Sequence, residues 1–248
     1  MVLLFWLLFI RNPDKFILVE DEEVQEEKIK IKENIYINLL KRKPIRLLSG
    51  IFICDFACYS YIATILPTFL YETGNMSESV ANIWAAVAFP AAGIIGCGLG
   101  GIVTNRSGLR KPTLIWGQLL KFVGIVIMVI MSDFSIVLSI LGAGLFGFGN
   151  GFWMPSFYGI PTELKGMNGA QVAASFALMS SGGFLMGFLT PTVGGWLTNQ
   201  LMLIAPNTSI AHAFGLKWSL FIFGFLNLVG LVCAILISET GSAKKIKT

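Results

Sequence analysis

Six long runs of apolar residues, separated by short polar gaps, fill the chain from about residue 47 onward. They lie at about Leu47–Leu70, Val80–Thr104, Thr113–Met131, Phe134–Tyr158, Ala170–Leu197 and Phe214–Ile237. Each holds close to the roughly 20 residues that a helix needs to cross about 30 Å of hydrocarbon. The runs are continuous, without the alternation and the short length of barrel strands, and a spanning helix satisfies its own backbone. The pattern predicts an all-α transmembrane protein built as a six-helix bundle.

The stretch ahead of these runs reads differently. Met1–Ile10 is apolar, MVLLFWLLFI, and ends at Arg11. Ten helical residues reach only about 15 Å, half a bilayer. The stretch lacks the basic leader and cleavage site of a signal peptide. It reads as the truncated end of a preceding transmembrane helix, with a short interfacial anchor as the alternative. Residues 11–46 form a linker dense in both signs of charge, with Ile31, Ile35 and Leu39 recurring on one narrow face. Plain solvation and membrane contact suit that linker equally. The expected organisation is 1–10 as a helix end, 11–46 as the linker, 47–238 as the bundle and 239–248 as a basic tail.

Charge assigns sides to the gaps. Sixteen of the 18 Lys and Arg lie in the linker through Arg46, in the gap holding Arg106, Arg110 and Lys111, at Lys165, and in the tail at Lys244, Lys245 and Lys247. The alternate gaps, near Glu72, Asp133 and His212, hold none. Basic gaps face the cytoplasm, so the linker and the C-terminus are expected there, in a multi-pass protein of the cell membrane. The net charge of +4 is thus topological, and nucleic acid is not an expected partner. With 55% hydrophobic and only 13% charged residues, a soluble fold could not cover itself.

Composition also narrows the chemistry. Cys54, Cys58, Cys97 and Cys233 all sit inside apolar runs, where they read as small hydrophobes rather than a disulfide framework. His212 is the single histidine, too little for a His-based metal site or a Ser-His-Asp triad. No phosphate-binding loop of the G-x-x-x-x-G-K-[ST] kind is present. No metal, no cofactor and no enzymatic activity are expected.

The gap after the second run reads GGIVTNRSGLRKP from Gly100 to Pro112. It resembles the cytoplasmic loop motif of the major facilitator superfamily, roughly G-x-x-x-D-R-x-G-R-R/K. Gly101, Arg106, Gly108 and Arg110 match; Asn105 replaces the usual Asp and Leu109 a usual Arg. The resemblance implies the C-terminal six-helix half of the twelve-helix fold, following a charged cytoplasmic linker. It implies a secondary active carrier that moves a small solute by alternating access, coupled to a proton or another ion. Its partners would be that solute, the coupling ion, the lipid bilayer, and either the missing N-terminal half or a second copy. ILPTFLYETGNMS, Ile65 to Ser77, resembles the end of the seventh helix in anion-type members, including the cyanate-transporter-like group, which implies a small organic anion. The rival readings are a membrane enzyme, for which the sequence offers no catalytic cluster at a membrane face, a channel-forming or purely structural six-span protein, a non-transporting membrane sensor, and a decayed half-transporter without activity. Physically, the motif's glycines, Gly101 and Gly108, are expected in a tight turn between helix ends. Asn105 keeps a hydrogen-bond acceptor and loses the charge, so a weakened cytoplasmic latch is expected.

Polar residues inside the runs supply the site candidates. Asp55 lies nine residues beyond Arg46, and Lys121 nine beyond Pro112. Both are then about 13 Å deep by helix rise, and pairing relieves two costly charges. A cavity-facing Asp55 with a separately snorkelling Lys121 is the alternative. Asp55 and Tyr59 share a helix face, as do Asn150 and Trp153, and Gln171 and Ser175. In the resembled family the first, second, fourth and fifth helices of each half face the cavity. The candidates for solute binding or coupling are therefore Asp55, Tyr59, Asn150, Trp153, Gln171, Ser175 and Lys121. Interhelical hydrogen bonding for Asn150 and Ser175, and packing for Trp153, are the plain structural readings. Gly96/Gly100, Gly147/Gly151 and Gly183/Gly187 have the spacing that lets helix backbones approach. Pro90, Pro155 and Pro191 are expected to bend their helices.

Overall fold

The computed structural model describes residues 35–74 and 76–241. Residues 1–10, most of the 11–46 linker and the end of the tail lie outside the described residues, and so do the expectations made for them. A short helix, Ile35–Lys41, precedes six helices long and apolar enough to cross a membrane. Span 1 is Lys43–Gly74, span 2 Glu78–Ser107, span 3 Lys111–Met131, span 4 Ile136–Glu163, span 5 Gly169–Leu203 and span 6 Ala211–Leu236. All six expected spans are present. Several outreach their apolar runs, because end residues such as Arg46 and Thr73 continue the helix where hydrocarbon gives way to polar surroundings.

Local signals explain the boundaries. Span 2 ends at Gly108, whose φ of 63° is left-handed and natural only to glycine. Pro112 then opens span 3 at its first turn, where its missing N–H has no partner to lose. Asn168 and Gln171 form a reciprocal capping box that starts span 5. Gly101, expected in the turn, instead lies inside the helical body of span 2, where its chief neighbour is Pro155. The turn needs only one left-handed residue, and Gly108 supplies it.

Span 2 is not uniform. Trp84–Ala88 is a π-helical segment, and Phe89–Ser107 resumes the α-helix with Pro90 in its first turn. A proline ring clashes with the carbonyl four residues back, and a widened π turn falls just there. The expected bend at Pro90 is accordingly a local change of helix type.

Span 1 packs on spans 5 and 6, span 4 packs on spans 2 and 3, and spans 3 and 6 meet each other. Exchanging 1 with 4, 2 with 5 and 3 with 6 leaves this pattern in place. Successive spans alternate in direction, so the two triplets form an inverted repeat. Two buried hydroxyl clusters make the relationship concrete. Thr104 of span 2 lies 3.0 Å from Ser156 of span 4 and 3.3 Å from Thr113 of span 3, and Thr113 also bonds Ser156. Thr198 of span 5 lies 2.8 Å from the Tyr61 hydroxyl of span 1 and 3.0 Å from Ser219 of span 6. Tyr61 and Ser219 are 2.5 Å apart. Taking Thr104 as equivalent to Thr198, Thr113 to Ser219 and Ser156 to Tyr61 sets a register. The same register places Gly93 on Gly187, Gly100 on Gly194 and Gly124 on Gly230.

The glycines serve packing, in two ways. Gly96 and Gly100 face the backbone of Phe148 and Phe152, and Gly151 faces Gly93, so spans 2 and 4 touch backbone to backbone. Gly183 and Gly187 do not meet a backbone as their spacing predicts. They receive the rings of Phe52 and Phe56 from span 1, because that span fills the groove with aromatic side chains.

Candidate functional site

The ends of the spans form two chemically distinct faces. On one, the Arg42 guanidinium donates to the carbonyls of Lys165 and Gly166 at 3.2 Å, joining the start of span 1 to the turn between spans 4 and 5. On the same face Arg110 donates through Nε and Nη2 to Glu163 Oε1 at 2.9 and 2.6 Å. The other face carries Glu72 with His212 at 3.2 Å, and Asp133 paired with Lys217. The first face thus carries Arg42, Arg110, Lys111 and Lys165 among the described residues.

Glu239, just after span 6, closes that basic face. Its carboxylate accepts from the backbone N–H of Arg110 at 2.8 Å and of Lys111 at 3.0 Å, the open N-terminus of span 3. The N–H groups of Thr240 and Gly241 add 3.0 and 2.9 Å bonds, and the Thr240 hydroxyl reaches Glu163 at 3.2 Å. Burial alone would push the Glu239 carboxyl up. The N–H groups of Arg110, Gly241, Lys111 and Thr240 outweigh it and hold the carboxyl below its ordinary range. Asn105, the expected latch acceptor, is exposed and makes no hydrogen bond among the described residues, as does Arg106. The acceptor at this helix terminus is Glu239, and Arg110 is its link to span 4. A lone acid beyond the last span carries no motif, so sequence reasoning passed over it.

In the bundle interior, Asp55 of span 1 and Lys121 of span 3 form an ion pair, both almost wholly buried. The expected pairing holds because both residues stand at the same depth. The Lys121 ammonium also lies over the Trp153 indole, 5.1 Å from its centroid. Gly117 lets Trp153 in: a side chain there would strike the Trp153 Cβ at 2.6 Å. Phe157 and Phe52 also pack edge-on against the indole, at 4.9 and 6.4 Å between ring centroids.

A separate cavity of about 240 Å³ opens between spans 1, 2 and 4. Its wall includes Tyr59, Phe89, Pro90, Cys97, Asn150 and Met154. Tyr59 stacks on Phe89 with centroids 5.5 Å apart, and Asn150 presents a buried Oδ1 with no hydrogen-bond partner among the described residues. Drug-sized ligands occupy about 300–1,000 Å³, so this space suits a smaller solute.

The seven interior candidates therefore separate. Tyr59 and Asn150 share the cavity wall, while Asp55, Lys121 and Trp153 form the buried charged cluster. Gln171 is engaged in the capping box at the start of span 5. Ser175 is buried and donates to the Val172 carbonyl at 2.7 Å within its own helix. Two polar residues that sequence reading did not single out join the interior: Gln118 of span 3 and Asn227 of span 6, both fully buried. Single amides inside apolar runs give little signal, but the internal register would have found one of them. It sets Asp55 on Asn150 and Lys121 on Asn227.

No curated protein matches the chain. The family model described as Major Facilitator Superfamily matches residues 1–191, most of the sequence, and agrees with the loop motif, the six spans and the inverted triplets. The chain is a multi-pass membrane protein of a transporter family, a member of the Major Facilitator Superfamily.

Proposed function

We propose that this protein is a secondary active carrier that moves a small solute by alternating access, with a proton or another ion as the driving species. The observation that carries the reading is the pairing of a small cavity, walled by Tyr59 and Asn150, with a buried Asp55–Lys121 ion pair on neighbouring turns. Ionisable groups are expensive in the membrane interior and mark pathways and coupling sites. A small organic anion, such as a carboxylate, is the class we favour, on the resemblance of Ile65–Ser77 to anion-type members. The six spans stand as the C-terminal half of a twelve-span carrier. Spans 2 and 5 are the least buried of the six and offer the faces for a second six-span unit. The basic face lies in the cytoplasm, on the distribution of Lys and Arg.

The test is counterflow. Vesicles containing the purified protein are loaded in turn with unlabelled formate, acetate, lactate or succinate and given the same compound, radiolabelled, outside. A carrier gives saturable uptake and a transient overshoot for at least one compound. Uptake that never saturates contradicts the carrier in favour of a channel. Binding without counterflow contradicts it in favour of a sensor, and neither binding nor uptake leaves the inactive-remnant reading standing.

A further inference from the structure

The four interior residues related by the internal repeat have one property in common. All four are buried polar groups: Asp55 Oδ1 and Lys121 Nζ pair with each other, while Asn150 Oδ1 and Asn227 Oδ1 have no hydrogen-bond partner among the described residues. They come from spans 1, 3, 4 and 6. Spans 3 and 6 meet, as do spans 1 and 4. Gln118, three residues before Lys121, adds an amide whose oxygen and nitrogen are both unpartnered, and Trp153 adds an unpartnered indole N–H. Gly230 makes room for that amide: a side chain there would meet Gln118 Oε1 at 2.9 Å. Asn227 has one bond, from Nδ2 to the Cys58 sulfur at 3.1 Å, one turn along span 1 from Asp55.

A protein interior does not leave so many donors and acceptors without partners, since each is costly in an apolar medium. The set is also chemically complementary. Lys121, Gln118 and Trp153 offer N–H donors, and Asn150, Asn227, Asp55 and Gln118 offer oxygen acceptors. A water molecule, which makes about three hydrogen bonds in such places, satisfies both kinds at once. A second metal-like cation is disfavoured, because the Lys121 ammonium already holds the positive charge beside the Asp55 carboxylate.

We propose that Asp55, Lys121, Asn150 and Asn227, with Gln118 and Trp153, form one hydrated polar centre whose ligand is bound water. Asn150 belongs both to this centre and to the cavity wall, so its water links the buried ion pair to the solute space. That link rests on the carrier reading; the water site itself does not.

The test is pulsed X-ray footprinting of the full chain in lipid nanodiscs, in which hydroxyl radicals form from bound water where it stands. Relative to the intrinsic reactivity of each side chain, Cys58, bonded to the Asn227 amide, and Trp153, against Lys121, are expected to oxidise severalfold faster than Met128, equally buried and two turns along span 3 from Lys121. Equal rates at all three overturn the proposal. A second arm measures thermal unfolding of Asn150→Leu and Asn227→Leu. Loss of stability in both, with slower oxidation of Cys58, is expected if the amides hold water. Unchanged or raised stability overturns it, because a dry centre gains by losing unpaired amides. Neither arm requires transport, so failure of the carrier reading leaves both informative.

Discussion

Asp55 on span 1 and Lys121 on span 3 neutralise each other inside the bundle, with the Trp153 indole laid against the ammonium. Removing one member of such a pair strands the other charge in a medium that cannot solvate it. Asp55→Asn and Lys121→Met are each expected to destabilise the protein by roughly 3–5 kcal/mol. The double variant Asp55→Leu/Lys121→Met is expected to recover most of that loss, and the exchange Asp55→Lys/Lys121→Asp part of it. Thermal unfolding in detergent checks the cycle; two independent, additive losses would show that the residues do not act as a pair.

The Glu239 clamp carries a pH dependence of definite sign. Its folded-state carboxyl is held below the ordinary range, so its stabilising effect is complete at neutral pH. That effect fades as pH falls through the carboxylate range and is lost below the folded-state value. Glu239→Gln is expected to lower stability at neutral pH and to flatten the decline between neutral and acidic pH. Unfolding curves at several pH values read both effects. Glu239 is partly exposed, so the change is expected to be modest.

The loop motif separates into parts with different roles. Arg110→Ala breaks the bonds to Glu163 and is expected to loosen the basic face. Asn105 is exposed and its side chain makes no hydrogen bond among the described residues, so Asn105→Asp is expected to shift stability by less than about 0.5 kcal/mol. Limited proteolysis between spans 2 and 3 distinguishes them: faster cleavage is expected for Arg110→Ala alone.

Glycine substitutions are expected to divide by neighbour. An added methyl at Gly100 or Gly151 meets the backbone of the facing span, so Ala there forces spans 2 and 4 apart. Gly98 and Gly144 have nothing within 4 Å. Ala there is expected to stabilise by about 0.5–1 kcal/mol, as it does within helices generally. Melting temperatures of the four variants, ranked, check this directly.

The spans were legible in the sequence because hydrocarbon imposes length and continuity on them. Their ends were not, since residues such as Arg46 and Thr73 stay helical after hydropathy has fallen. The Asp55–Lys121 pair was legible because depth can be counted from a basic anchor on each span. The π segment at Trp84–Ala88 was not, because its residues are ordinary helix formers and only Pro90 hints at a disturbance. Gln171 looked like a cavity residue by spacing alone, but a position three residues after Asn168 serves a cap equally well. The polar centre was hidden for another reason: Asn150 and Asn227 gain meaning only once spans 4 and 6 are set on spans 1 and 3.

Cys97 offers the most direct test of the carrier, because this native thiol is exposed and sits in the cavity wall. The measurement is its labelling by a membrane-impermeant thiol reagent, in a variant with Cys54, Cys58 and Cys233 changed to alanine, applied to right-side-out and inverted vesicles under imposed pH gradients. Alternating access predicts that Cys97 reacts from both faces and that reversing the gradient shifts the balance between them. Reaction from one face only, unchanged by either gradient, would contradict it.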